Sequence, residues 1–457
     1  MSVSGRVAPE TEPLTSIEIC AGAGGQAVGL HNAHFGHLAL VEWDQHAVNT
    51  LKENVVQWPG WDKERADALK PMDVKEFLSS GVYENLGEAF TRLGANPQSR
   101  VDLLAGGVPC PPFSLAGKQL GADDERDLFP DMLKIVEEVR PNAVMIENVR
   151  GILEPPAVFI EYRRWILDEL RRLGYVVPEV PEELSPEAQD EVMRSVWRKV
   201  EARDFGVPQL RPRAILVAFH ERVEGAERFV WPKQSRRGVM PVLEALEQSM
   251  LDRCKVFWDK NFKGEIAGPD ERTGQDVFDD WRTSADKAKT NATDGVAPTL
   301  VGGSKKHGGA DLGPSRAKKA WAAMGVDATG VANDDTDDER NPERDLFRPV
   351  GPMLTVQQAA KIQGFPDQWR FKGRKTARYR QVGNAFPPPV AEAIGRAIAA
   401  VLRPDRREEL LKDYVMEGQA GGATGDMPGN VVVPASRAPE GRAAGQDRSR
   451  DLIGAEA

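Results

Sequence analysis

LTSIEICAGAGGQAVGL, residues 14–30, decides the fold. A β-rich apolar run ends at Cys20, the glycines Gly22, Gly24 and Gly25 follow, and a helix-forming stretch begins at once. Strand, glycine turn and helix in that order are the nucleotide-binding arrangement of doubly wound sheets. Glycines can take tight-turn angles and let a ligand approach the backbone closely, here beside Ala21. The next run, LALVE (38–42), ends in Glu42, with Trp43 and Asp44 behind it. An acid at the tip of the second strand is placed to bond ribose hydroxyls, and Trp43 can lie against an adenine ring. The turn is not a GxxxxGK[ST] loop, which argues against an ATPase. It leaves a nicotinamide dinucleotide and S-adenosylmethionine both open.

Outward from this stretch the first half keeps alternating. Further strands are expected at VDLLA (101–105), AVMIE (143–147) and AILVAF (214–219), with helical patterns between them at 131–140 and 159–174. Apolar strands alternating with helices predict an α/β fold, a Rossmann-like, doubly wound and largely parallel sheet covered on both faces. Residues 178–200 read as a charged insertion into this 14–220 unit. From 221 to 375 the chain turns rich in Gly, Asp, Lys and Pro with weak periodicity, which predicts a second, loop-rich domain. Helical signals return at 355–364 and 389–402, and residues 376–405 are expected to rejoin the first unit. Residues 1–13 and 414–457 read as disordered tails.

The 457 residues are 40% hydrophobic and 28% charged, ordinary for a globular protein. No apolar run reaches the length of a bilayer span and the N-terminus has no signal-like core, so a cytoplasmic protein, expected to be monomeric, follows. The three cysteines, Cys20, Cys110 and Cys254, are too far apart for a zinc cluster or a disulfide framework. The net charge of −10 argues mildly against a nucleic-acid partner. Residues 370–380 nonetheless hold six cations and no acid; on charge alone they read as a solvated basic loop.

Strand 101–105 leads into GGVPCPPFSLAG (106–117). Prolines on both sides of Cys110 fix the backbone and prevent a helix from starting at the thiol, so it stands on a rigid loop at the carboxyl end of a strand. A free thiol with a pKa near ~8.5 carries some thiolate at neutral pH. The strand AVMIE ends in Glu147-Asn148-Val149, a carboxylate at a neighbouring strand tip. Thiol and carboxylate on adjacent loops suit nucleophilic attack on a ring activated by protonation.

With these residues in hand, the chain resembles one family, the DNA (cytosine-5)-methyltransferases. AGAGG, Glu42, Asp67, GGVPCPPFS, ENV (147–149), QLRPR (209–213), LTVQQAAKIQGFP (354–366) and QVGNAFPPPVAEAIG (381–395) match its motifs in order, over roughly residues 14–402. The resemblance implies that Cys110 adds to carbon 6 of a cytosine, Glu147 contacts ring nitrogen 3, and carbon 5 takes a methyl group from S-adenosylmethionine. It implies that Arg211 and Arg213 help to hold the base and the catalytic loop. It assigns Asp67 to the adenine, and Pro109 and Asn384 to the cofactor side. Cys20 stands where the family usually has an aromatic residue, which puts more weight on Trp43.

The target base must leave the helix to be reached, and the loop bearing Ser114 and Lys118 would close over it. The second domain would read double-stranded DNA. Its segment 297–321 mixes glycines with Lys305, Lys306 and Arg316, suited to phosphates and guanine edges, and Gln209 is expected to join them. A restriction endonuclease acting on the same site is the partner implied. Three other readings remain open: an RNA methyltransferase on the same motifs, a DNA-binding protein with a dead site, and a nicotinamide-dependent oxidoreductase.

Overall fold

The computed structural model describes residues 12–109, 127–302, 310–334 and 341–418. The opening strand β1 (Leu14–Ile19) is buried along its whole length, as expected for a strand covered on both faces. It lies between β2 (Phe35–Val41) and β3 (Leu103–Gly107), and β4 (Ala143–Val149) follows β3; these four run parallel. The next strand in space, β7 (Pro212–His220), runs antiparallel to β4. Its far edge takes two strands end to end, β5 (Tyr175–Val176) and β6 (Trp197–Glu201), also antiparallel.

The sheet is therefore parallel only over β2, β1, β3 and β4. The connection from β6 to β7 spans residues 202–211, too short for the crossover that parallel strands require. The segment 178–200, read as an insertion, is built into the unit. Its helix Pro186–Met193 is held to α5 (Pro156–Arg172) by Asp190 and the fully buried Arg163 at 2.6 Å, and its last residues begin β6. The strand escaped the sequence reading because WRKVE buries only Trp197 and Val200 and leaves charged residues between them.

Helices α4 (Phe129–Val139) and α5 cover one face of the sheet. On the other face, α1 (Gly25–Asn32) packs against the late helix α11 (Pro388–Leu402). Gly29 makes that approach possible: a side chain there would strike the Pro388 carbonyl and the Ala391 methyl. The stretch Lys375–Leu402 has the length and apolar composition of a membrane span. Most of its apolar part is buried, however, and the stretch divides into α10 (Lys375–Asn384) and α11, so it serves as core.

The second half is more helical than its weak periodicity suggested. Helices α6 (Val242–Lys255), α7 (Gly274–Ala288) and α8 (Ser315–Ala322) surround the buried Trp281 and Trp321. The capping box of Thr273 and Asp276 starts α7. Their core is continuous with α9 (Val356–Ile362), Phe365 and Trp369, which reach Ala23 and Val28 beside the glycine turn. Some residues read as tails are built into the fold. Glu12 accepts hydrogen bonds from Asn96 and Ser99, and Tyr414–Met416 forms β9, paired with β8 (Pro232–Ser235).

Candidate active site

The chain passes from β1 outward to β2 and then returns to β3 on the other side of β1, so the crevice of the sheet opens between the carboxyl ends of β1 and β3. Cys20 leaves β1 with a left-handed φ of 51° and Gly22 follows at 55°. The face of Gly22 that would carry a side chain looks into open space. Its amide donates to Glu42 at 2.7 Å, and the amide of Asp44 donates to the other oxygen of the same carboxylate at 2.8 Å. Glu42 is buried, which raises its pKa above the ordinary carboxylate value, while the two amides pull against that rise. Each of its oxygens keeps a lone pair for a hydroxyl donor. Trp43 is 77% exposed at the strand tip, an unusual state for an indole and a ready platform for a planar ring. A nucleoside with free ribose hydroxyls fits this set.

The other two glycines do different work. Trp369 lies across Gly24, 2.7 Å from where its side chain would begin, and donates its Nε1 to the Ala23 carbonyl at 3.0 Å. Gly25 faces the carbonyl of Phe386, which leads into α11. These two are bare because protein packs against them. Of the turn glycines expected to meet a cofactor, only Gly22 faces open space. Ala21 is buried and donates to the Val41 carbonyl.

Asp67 does not fit the adenine role. It is exposed at the end of α3 (Lys63–Ala68), paired with Lys63 at 3.1 Å. The structure instead brings Asp73 to the turn. The amide of Met72 donates to the Glu42 carbonyl at 2.8 Å, and the charges of Glu42 and Asp73 both act on Cys20. Burial first, then these carboxylates, push the Cys20 thiol up to about 12, so it stays protonated and is no nucleophile. Cys254 is buried inside α6. The signal for Asp73 was present in the sequence: MDVKEF carries an acid directly before the apolar Val74 that enters the core.

The base side lies one strand further on. Gly107 at the end of β3 pairs in register with Glu147 of β4, and a side chain on Gly107 would begin 3.1 Å from the Glu147 carboxylate. Arg213 holds that carboxylate from β7 at 2.7 Å, with both side chains largely covered. Asn148 donates to the Val108 carbonyl at 2.7 Å and so fixes the chain just before Pro109, which is exposed. Cys110, Ser114 and Lys118 lie outside the described residues, as do Lys305 and Lys306.

Two expected contacts are overturned. Gln209 is completely buried; its amide donates to Gln363 at 2.7 Å and its oxygen accepts from the Leu300 amide at 2.7 Å, so it cannot meet DNA. Arg211 is 1% exposed and its two terminal nitrogens donate to the carbonyls of Leu300, Gly383 and Ala385 at 2.6, 2.6 and 3.0 Å, which commits them away from the base; the loop it was also expected to hold lies outside the described residues. Burial and the neighbouring Arg213 charge draw its pKa down to about 9. Asn384 is exposed with its side chain against Gly302, one residue before Ala385, whose methyl faces Gly25 of the glycine turn. Arg316 is exposed in the first turn of α8.

The sequence pattern of C-5 cytosine-specific DNA methylases matches residues 14–400. The Type II methyltransferase M.NaeI of Lentzea aerocolonigenes is 44% identical over 393 residues, 86% of this chain and 76% of that protein. The Type II methyltransferase M.NgoMIV of Neisseria gonorrhoeae is 38% identical over 394 residues, 85% of this chain and 98% of that protein. With the match running from β1 through α11, the chain belongs to the C-5 cytosine-specific DNA methylases.

Proposed function

We propose that this methylase modifies one cytosine within a specific duplex DNA sequence, with S-adenosylmethionine as methyl donor, as the protective partner of a restriction endonuclease. The observation that carries the chemistry is the Glu147–Arg213 pair, held at the end of β4 beside the strand that runs into Pro109 and Cys110. Glu42, Trp43, Gly22 and Asp73 would hold the nucleoside part of the cofactor, which when bound supplies an electrophilic methyl group. The restriction role is inferred from the two relatives, both named Type II methyltransferases. The recognition region is proposed to end near Met353, because α9 and Trp369 pack on the glycine turn.

The cytosine is flipped out of the stack. The Cys110 thiolate forms a bond to carbon 6, and the electrons of the 5,6 double bond move toward carbon 5. Glu147 supports a proton on ring nitrogen 3, with Arg213 fixing the carboxylate, which makes carbon 6 a better electrophile. Carbon 5 would then take the methyl group from the bound donor, whose sulfur keeps the electron pair of the broken bond as the donor leaves as S-adenosylhomocysteine. A base removes the carbon-5 proton, the double bond re-forms and Cys110 leaves as thiolate.

Expression in a host without cytosine methylation, followed by base-resolution mapping, tests the proposal. One short motif methylated at carbon 5 is expected, absent with Cys110→Ser and nearly absent with Glu147→Gln. A folded wild-type chain that marks transfer RNA but no duplex site would overturn it.

A further inference from the structure

The segment 297–302 is how the recognition region rejoins the catalytic strand. The amide of Ala297 donates to the Pro208 carbonyl at 3.1 Å, the amide of Leu210 donates to the Ala297 carbonyl at 2.7 Å, and the Thr299 hydroxyl donates to the Leu210 carbonyl. Gln209 takes the Leu300 amide and Arg211 takes the Leu300 carbonyl. Beyond Leu300 the backbone stays close: a side chain on Gly302 would collide with Asn384, and one on Gly383 would meet the Gly302 backbone.

Arg211 thus lies where three parts of the enzyme meet. One arm of its guanidinium holds the recognition region at Leu300. The other holds the turn at Gly383 and Ala385, whose next carbonyl, that of Phe386, lies on Gly25 of the cofactor turn. Two residues along the same chain, Arg213 holds Glu147. A wholly buried network of this kind moves between discrete arrangements, because its groups have no water to fall back on. Displacing Leu300 therefore means moving Arg211, and with it the start of β7.

We propose that Arg211 is a positioning residue that couples reading of the DNA sequence to the base pocket, so that a recognition region seated on a wrong sequence draws Glu147 and Arg213 out of the paired geometry they hold here. This rests on the reading of the chain as a sequence-specific cytosine methylase. A residue of this type governs discrimination, whereas Arg213 governs rate alone.

The test compares kcat/KM on the mapped duplex and on a duplex with one flanking base pair changed. Arg211→Lys keeps the charge but cannot span three carbonyls. It is expected to cut the cognate kcat much more than the near-cognate one, lowering the discrimination ratio by about tenfold or more. Arg213→Lys is expected to lower both rates equally and leave the ratio unchanged. Thr299→Val removes one hydroxyl at the same junction, bonded to Leu210 and not to the guanidinium, and serves if Arg211→Lys does not fold; it too should lower the ratio. A ratio that stays at the wild-type value in a folded variant, whatever the rate, overturns the coupling. Absence of 5-methylcytosine with the wild-type enzyme would instead count against the function itself.

Discussion

The two glycines Gly22 and Gly25 make opposite demands, and alanine at each separates them. At Gly25 a new methyl would fall on the Phe386 carbonyl, with the Ala385 methyl at 3.1 Å and the Phe365 ring at 3.3 Å. A backbone oxygen cannot rotate aside, so the α1–α11 contact must open. Overpacking of this kind costs about 1–3 kcal/mol, a loss of only about 1–3 °C in Tm for a chain of this size. At Gly22 the new methyl meets nothing, but the φ of 55° costs alanine roughly 1–2 kcal/mol. Its methyl also projects into the space a ligand must use. Thermal unfolding without ligand and calorimetric titration with S-adenosylhomocysteine read the two effects apart. Gly25→Ala should lose stability and keep its Kd within about threefold; Gly22→Ala should raise Kd by about tenfold or more, equal to 1.4 kcal/mol. The reasoning fails if Gly25→Ala melts like the wild type yet loses the ligand, because Gly25 would then face the cofactor.

Asp73→Asn should weaken S-adenosylhomocysteine binding by roughly tenfold or more, the worth of a hydrogen bond to a charged acceptor, while Asp67→Asn leaves it unchanged. Glu42 has a folded-state pKa raised above that of the unfolded chain, so its contribution to stability is greatest in acid and is lost as the pH rises through the folded value. Ribose hydroxyls need the ionised form, so ligand affinity should rise with pH just above the ordinary carboxylate range, and Glu42→Gln should flatten that profile in titrations at several pH values. Gln209→Met should leave the salt dependence of DNA binding unchanged but destabilise the fold by about 1–3 kcal/mol, since it strands the Leu300 amide and Gln363.

Local patterns announced the sheet clearly. Strands β1, β3, β4 and β7 are apolar enough on both faces to be read one at a time, and the glycine turn follows from its own spacing. Roles that depend on distant partners were harder to see. Gln209 looks like a DNA ligand because it is polar, and Arg211 like a holder of the base because it is cationic and stands two residues from Arg213. Only the fold shows that carbonyls from residues 300, 383 and 385 converge on Arg211. The same limit explains Asp67 and Asp73, six residues apart: a helix carries the first into solvent, and the return beside Glu42 brings the second to Cys20. Glu147 was legible because its strand ends there and its neighbours are set by register.

Helix α11 lies against α1 with no room for a side chain at Gly29, although 359 positions of sequence separate Gly29 from Pro388. A ribosome adding about 5–20 residues per second needs roughly 20–70 s to make the intervening chain. Through that interval the glycine turn exists without the wall that completes it. The core between α1 and α11 therefore stays open until almost the whole matched region has emerged, and stable folding of the sheet's second face must wait for the end of the chain that covers it.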